Sequence, residues 1–399
     1  MTQGGQPRGL RLALVSAYPP SIGPLSEYSW HLVESLRRSD RVAELHVLAD
    51  RAPGAVPIDD GHLHVRPAWT FDGLDLPVET VREVRALKVD AVWFQMHLTS
   101  TGNRRLSRFV GLTAPALARM AGARTLVTLH NMIGATDLNR TAVRAGPLDL
   151  VGALAATSLV CRADMICVPR PEYAMLLSDR YGSARVRYVP LGTPGAPPRG
   201  PVSTPRRGIV AFGHFGSNKR LETVIEAVRA LADRRPDIHL SIGGTSSRHK
   251  PAYLSDLRTK HGQHPAISFL DYVPETDVPG FFQSAAISVL PYATTTGMSS
   301  VALQSAMYGA RIVASDVPGL RAIEREGLRM HFYDWGSAAS LTRAIEGALD
   351  APDSVRRSDE RANMDYCHRQ RMDLVADRYL DLFDHLAGVR SRRPRVKRA

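Results

Sequence analysis

Ile209-Val210-Ala211-Phe212-Gly213-His214-Phe215-Gly216-Ser217-Asn218-Lys219-Arg220 runs directly into a helical pattern over Leu221–Ala232. The apolar residues 209–212 read as a buried strand, and the next eight residues as a turn opening a helix. Strand, glycine-bearing turn and helix in that order make the first half of a βαβ unit. Such units build parallel sheets covered by helices on both faces. Glycines let the main chain approach a ligand closely, and Lys219 and Arg220 fall where a helix N-terminus already favours an anion. A phosphate group suits this turn, although it lacks the spacing of a P-loop.

The same alternation extends in both directions. On the C-terminal side come strands at His239–Ile242, Ile267–Phe269, Ala286–Leu290 and Ile312–Ala314, separated by helices at Pro251–Lys260, Val278–Ser284 and Ser300–Tyr308. On the N-terminal side, strands are expected at Leu10–Ser16, Leu45–Ala49, Ala91–Phe94, Thr125–Leu129, Met165–Val168 and Val186–Val189, with a helix at Ser26–Arg38. The alternation breaks between Thr193 and Pro205, where five prolines accompany few apolar residues, which marks a linker. The fold class is therefore α/β, with two tandem doubly wound Rossmann-like domains and ligands expected at the carboxyl ends of strands, in the cleft between the domains. A length of 399 residues suits about two domains.

Composition excludes several classes. A hydrophobic share of 44% against 23% charged describes a folded chain rather than a disordered one. The net charge of +12 suggests a polyanionic partner, but only five of the 51 basic residues are lysines, an arginine skew that speaks of base composition in the genome. Six of those charges lie in the acid-free tail Arg390, Arg392, Arg393, Arg395, Lys397 and Arg398. Aromatic residues do not interleave with basic ones, so no nucleic acid is expected. Cys161, Cys167 and Cys367 have neither disulfide nor metal-ligand spacing and read as core thiols. No run approaches the ~18 apolar residues of a membrane span, and Leu10–Tyr18 ends in Pro19-Pro20 without a cleavage-like site. The expectation is a cytoplasmic chain, with its basic tail able to meet anionic lipid at the inner membrane face.

A second ligand-like turn follows Ala286–Leu290: Pro291-Tyr292-Ala293-Thr294-Thr295-Thr296-Gly297-Met298-Ser299-Ser300 opens another helix. It is rich in hydroxyls, and Gly297 can bring main-chain N–H groups against an oxygen. A helix cap made of Ser and Thr would look similar. Two such turns in one domain point to a diphosphate.

Four motifs occur in one order: Tyr18-Pro19-Pro20 with Gly23-Pro24, Leu129-His130-Asn131, the Gly213…Lys219 turn, and the run from Leu290 through Tyr308-Gly309 to Val313-Ala314-Ser315. That order resembles the retaining glycosyltransferases of glycosyltransferase family 4, of GT-B architecture, over about residues 10–350. The resemblance implies an N-terminal acceptor-side domain (1–192), a linker (193–207), a donor nucleotide-sugar domain (208–353), C-terminal helices crossing back to the first domain (354–386) and a basic disordered tail (387–399). It places Gly23 in a loop near the donor diphosphate, stiffened here by Pro24. It assigns His130 to the reacting centre and Lys219 to the donor phosphates. His214 stands where Arg is usual, so the grip on phosphate should be weaker or pH-sensitive. The family's Glu-x7-Glu pair is missing: Thr296 and Gln304 occupy its positions, with Gln304 still able to hydrogen-bond a ribose. Gly297, Met298, Ser299 and Ser300 complete the donor side, and base recognition would fall to main chain near Phe269-Leu270-Asp271-Tyr272-Val273.

The acceptor is expected mostly in the N-terminal domain, where Trp30, Gln95, His97, Asn131, Met132 and Asp137 follow expected strands or line the first helix. Trp69 and Trp335 read as packing residues. No Asp-x-Asp stands beside a loop, so neither metal nor other cofactor is expected; the nucleotide-diphosphate sugar is a co-substrate. The implied reaction is front-face transfer to an acceptor hydroxyl. The acceptor is a cell-envelope glycolipid or polysaccharide, or alternatively a small soluble molecule of secondary metabolism. A GT-B epimerase or phosphorylase and a non-enzymatic binder are the other readings.

Overall fold

Leu12, Ala13 and Leu14 are fully buried because they occupy the middle strand of a wide parallel sheet, with apolar layers on both faces. The computed structural model describes residues 9–132, 147–194, 208–247, 250–295 and 297–388. They form two compact units, one made of 9–132, 147–192 and 372–388, the other lying within 193–371.

The first unit runs β1 (Leu10–Val15), α1 (Pro24–Leu36), β2 (Val42–Asp50), β3 (Ile58–Asp59), β4 (Leu63–Trp69), α2 (Leu76–Leu87), β5 (Ala91–Met96), α3 (Arg105–Gly111), α4 (Ala114–Met120), β6 (Thr125–Leu129), α5 (Pro147–Val160), β7 (Met165–Val168), α6 (Pro171–Tyr181) and β8 (Val186–Tyr188). Its strand order is β3-β4-β2-β1-β5-β6-β7-β8, parallel except where β3 pairs antiparallel with β4. The winding direction reverses between β1 and β5, so their carboxyl ends open the crevice where such sheets take ligands. Val15, Phe94 and Val127 belong to the core on one face. On the other, Trp93 packs against Tyr379 and Phe383. Each such fully buried apolar side chain contributes about 1.5–3 kcal/mol.

The second unit continues with β9 (Gly208–Phe215), α7 (Glu222–Ala232), β10 (Leu240–Ser246), α8 (Tyr253–His261), β11 (Ile267–Phe269), α9 (Val278–Gln283), β12 (Ala285–Leu290), α10 (Ser300–Met307), β13 (Arg311–Ser315), α11 (Pro318–Arg325), β14 (His331–Tyr333), α12 (Ala338–Asp350) and α13 (Asp353–Arg369). Its sheet, β11-β10-β9-β12-β13-β14, is parallel throughout and reverses between β9 and β12. Both units are Rossmann-like.

Some details differ from the sequence reading. The strand expected at Leu45–Ala49 spans Val42–Asp50, and the helix expected from Ser26 starts at Pro24, whose fixed φ suits a first helical turn. Strands β3, β4 and β14 were not anticipated. Thr193, placed in the linker, is fully buried and its N–H donates to the Gln370 carbonyl at 2.7 Å. Residues 195–207 and 389–399 lie outside the described residues. Of the C-terminal stretch, α13 sits in the second unit, and α14 (Met372–Ala387) sits in the first. All three cysteines are buried free thiols. Trp69 is buried, its indole N–H donating to the Leu48 carbonyl at 3.0 Å, whereas Trp335 is 39% exposed. Among the described residues no helix is long and apolar enough to cross a membrane.

Candidate active-site residues

In the second unit, the turns after β9 and β12 flank the switch point and are stitched together. Lys219 and Tyr292 form an antiparallel bridge. The Arg220 N–H donates to the Pro291 carbonyl at 3.0 Å and the Ala293 N–H to the Asn218 carbonyl at 2.7 Å. The Asn218 amide adds a bond to the Thr294 carbonyl at 3.0 Å. Two turns 70 residues apart in sequence thereby become one platform at the carboxyl edge of the sheet.

Lys219 folds back over this platform. Its Nζ lies 4.8 Å from the centroid of the Tyr292 ring, a cation–π distance. Gly213 has φ +125°, a backbone conformation that favours glycine, and a Cβ there would meet the flexible end of Lys219 at 2.8 Å. His214 is steadied by the next strand: its Nδ1 is 2.6 Å from the Thr245 Oγ1, its register partner on β10. At the turn after β11, Asp271 adopts φ +56° and its carbonyl accepts the Gly244 N–H at 2.6 Å.

Ser299 caps α10, its Oγ accepting the Ala302 N–H at 3.2 Å, and the Tyr292 hydroxyl lies 2.9 Å from the same Oγ. The first N–H groups of α10 thus point out of the helix beside the platform, a standing attraction for an anion. Gln304 lies one turn into α10 and is buried. Gly297, Met298 and Ser300 are partly buried around the cap. Thr296 lies outside the described residues.

In the first unit, neighbouring strand ends gather Gln95, His97, His130 and Asn131. The His130 Nε2 is 2.5 Å from the Gln95 Oε1, and the His97 and His130 rings stack with centroids 5.4 Å apart. The Asn131 Oδ1 accepts the Leu98 N–H at 2.9 Å, tying β6 to β5, and Met132 is buried beside it. Burial lowers His97 to about 4. His130 is held well below its ordinary value, by burial first and by His97 second. Both rings are therefore neutral at pH 7. Since a carbonyl oxygen only accepts, the His130 Nε2 carries the proton and its Nδ1 is left as an acceptor. The Gln95 Nε2 is buried with no hydrogen-bond partner among the described residues.

Gly23, with φ +153°, caps α1 after β1, and nothing lies within 4 Å of where its Cβ would stand. Trp30 is 38% exposed on α1 with its ring edge-on to His31. Tyr28, two residues earlier, is the one that reaches the strand ends, edge-on to His130 at 5.2 Å. Residues two apart on a helix face opposite sides, so one cannot stand in for the other. Asp137 lies outside the described residues. Tyr28, Tyr292 and Thr245 were missed in the sequence. Tyr292 could have been found from its place directly after a strand, whereas Thr245 is visible only through sheet register.

A family model described as glycosyl transferases group 1 matches residues 206–351. The D-inositol 3-phosphate glycosyltransferase of Streptomyces coelicolor is 25% identical over 327 residues, 73% of this chain and 69% of that protein. The sucrose-phosphate synthase of Thermosynechococcus elongatus superposes with a TM-score of 0.69 at 17% identity, covering 96% of this chain and 100% of that one. Anabaena HepE, solved with UDP and glucose, gives 0.63 at 13% identity, with 94% and 100% covered. The solved structures establish the fold, and the family model covers the unit that holds the stitched turns. Residues 206–351 thus carry a glycosyl transferases group 1 domain in a chain of GT-B fold, and these likenesses make the chain a glycosyltransferase, in keeping with the family 4 resemblance of its motifs.

Proposed function

We propose that the chain moves a sugar from a nucleoside-diphosphate donor to an acceptor hydroxyl with retention and without a metal. The observation that carries this reading is the platform of stitched turns, which sets Lys219, His214 and the N-terminus of α10 at the β9/β12 switch point. As the donor bond breaks, negative charge grows on the diphosphate, and fixed donors stabilise it without reorganising. The structural neighbour solved with UDP and glucose supports a donor of that class.

Neither residues 213–220 nor 291–300 include an Asp or Glu, so these turns offer no carboxylate nucleophile. A front-face reaction follows from this: the bond from the anomeric carbon to phosphate breaks, and the acceptor oxygen bonds to that carbon from the same side. The acceptor proton passes to the leaving phosphate oxygen. In the first unit, the acceptor Nδ1 of His130 and the donor Nε2 of Gln95 are suited to orient sugar hydroxyls, with His97, Asn131 and Met132 around them.

For the acceptor we favour a small soluble polyol, because the Streptomyces relative is named for an inositol phosphate. The six basic residues of 390–398 favour the second reading, an envelope glycolipid met at an anionic membrane. Turnover of a panel of nucleotide sugars with polyol acceptors, read by NMR at the anomeric carbon, tests the first. Inversion, or a glycosyl-enzyme trapped in an intact-mass measurement, overturns the mechanism. Equal sedimentation with anionic liposomes of the full chain and a chain ending at Val389 removes the tail's membrane role.

A further inference from the structure

The register of the first sheet lines up a row of side chains that the transfer reaction does not use. Arg11 on β1 pairs with Glu44 on β2, His46 on β2 pairs with His64 on β4, and His64 pairs with Asp59 on β3. Glu44 and His46, two apart on one strand, share a face. The two imidazoles stack with centroids 4.6 Å apart. Among the described residues, Glu44, His46 and His64 are the one group of three His, Cys, Asp or Glu whose ligating atoms lie within 4.8 Å of one another.

We propose that Glu44, His46 and His64 form a binding site for a divalent transition metal of the zinc class. The donor set suits it: two imidazoles and one carboxylate, with water completing four-coordination. His64 has its Nδ1 3.1 Å from the Asp59 carboxylate, the outer partner that fixes the tautomer of a metal-ligating imidazole and leaves Nε2 to coordinate. His46 is buried, its Nε2 faces the Glu44 carboxylate at 3.2 Å, and its Nδ1 has no hydrogen-bond partner among the described residues. Glu44 receives Arg11 at 2.8 and 3.0 Å and His46 at 3.2 Å, all on Oε2, which leaves Oε1 for a metal. The guanidinium of Arg11 is the competing cation, so the site should take a metal that binds nitrogen well rather than calcium or magnesium.

The row lies near the starts of β2 and β4, whereas the strand-end residues Gln95 and His130 lie at the other edge of the same sheet. A metal here ties β2 to β4 and stabilises the fold, and it takes no part in sugar transfer. The test is calorimetric titration of Zn²⁺ into chelator-treated, dialysed full-length protein, with thermal unfolding followed in parallel. One bound Zn²⁺ per chain and a rising unfolding midpoint are expected, with at least tenfold weaker binding in His64→Ala and in His46→Gln. His64 is partly exposed, so its variant folds even where that of His46 does not. Absence of Zn²⁺ binding, or unchanged binding in His64→Ala, overturns the proposal. Donor turnover plays no part in this readout, so it stands or falls apart from the transferase mechanism.

Discussion

The Nε2 atom of His130 stands 2.5 Å from the Oε1 atom of Gln95, across the ends of the adjacent strands β6 and β5. The amide fixes which imidazole nitrogen carries the proton. Gln95→Leu keeps the volume and removes that control, so kcat/KM should fall about tenfold, the scale of one buried hydrogen bond. Steady-state kinetics with the thermal midpoint as control would show it. An unaltered kcat/KM in a folded variant would mean that His130 needs no orienting partner.

Acid should unfold the chain through the same pair. The unfolded chain binds protons at imidazoles near pH 6.5, while folded His97 does so only near 4 and folded His130 well below its ordinary value. Between those values the unfolded state holds more protons, so this contribution is complete above pH 6.5 and is lost as pH falls toward 4. Thermal midpoints measured from pH 8 to 4.5 should decline below 6.5, and His97→Gln should flatten that decline. An equal slope in the variant would assign the acid sensitivity elsewhere.

Lys219→Met removes the ammonium from the Tyr292 face while keeping an apolar stem. A loss on the order of a hundredfold in kcat/KM is expected, as for removal of one preorganised donor to developing negative charge. The unfolding midpoint should change little. If turnover with nucleotide sugars survives intact, the diphosphate is held by other groups.

His214→Arg restores a permanent charge and a forked donor beside Thr245. The donor KM should drop several-fold. A rise in KM would show that this site is shaped for imidazole.

Gly244 has φ +135°, and a Cβ there would lie 1.9 Å from the Gly213 carbonyl oxygen. Gly244→Ala must therefore push β10 away from β9 and should cost about 3 kcal/mol or more. Urea unfolding gives the number directly; a cost below about 1 kcal/mol would mean the strands yield easily.

How much of this could be read beforehand depended on how each feature is written in the chain. Strands β9 and β12 are uninterrupted apolar runs ending in glycine, hydroxyl and basic residues, and their turns stood out for that reason. Strand β4 carries His64, Arg66 and Pro67 among its apolar residues, so no run marks it, and Pro67 argues against a strand. Lys219 could be singled out from its turn before a helix, and His130 and His214 from the positions they hold in the family resemblance. That they meet Tyr292, Gln95 and Thr245 respectively is set by pairing between neighbouring strands and turns, which no local pattern encodes. Trp30 drew attention by its size, yet the turn of α1 carries Tyr28 to His130 instead.

Helix α14 follows the second unit in the chain but belongs to the first, where Tyr379 and Phe383 cover Trp93 and the Tyr379 hydroxyl meets the Thr128 Oγ1 at 3.1 Å. During synthesis the ribosome delivers every strand of that sheet long before it delivers this helix. One face of the newborn sheet must wait, with Trp93 uncovered, while some 200 further residues emerge and the second unit takes shape. The N-terminal half expressed alone would keep that face bare. A helix made only after the second unit is the one that completes the first.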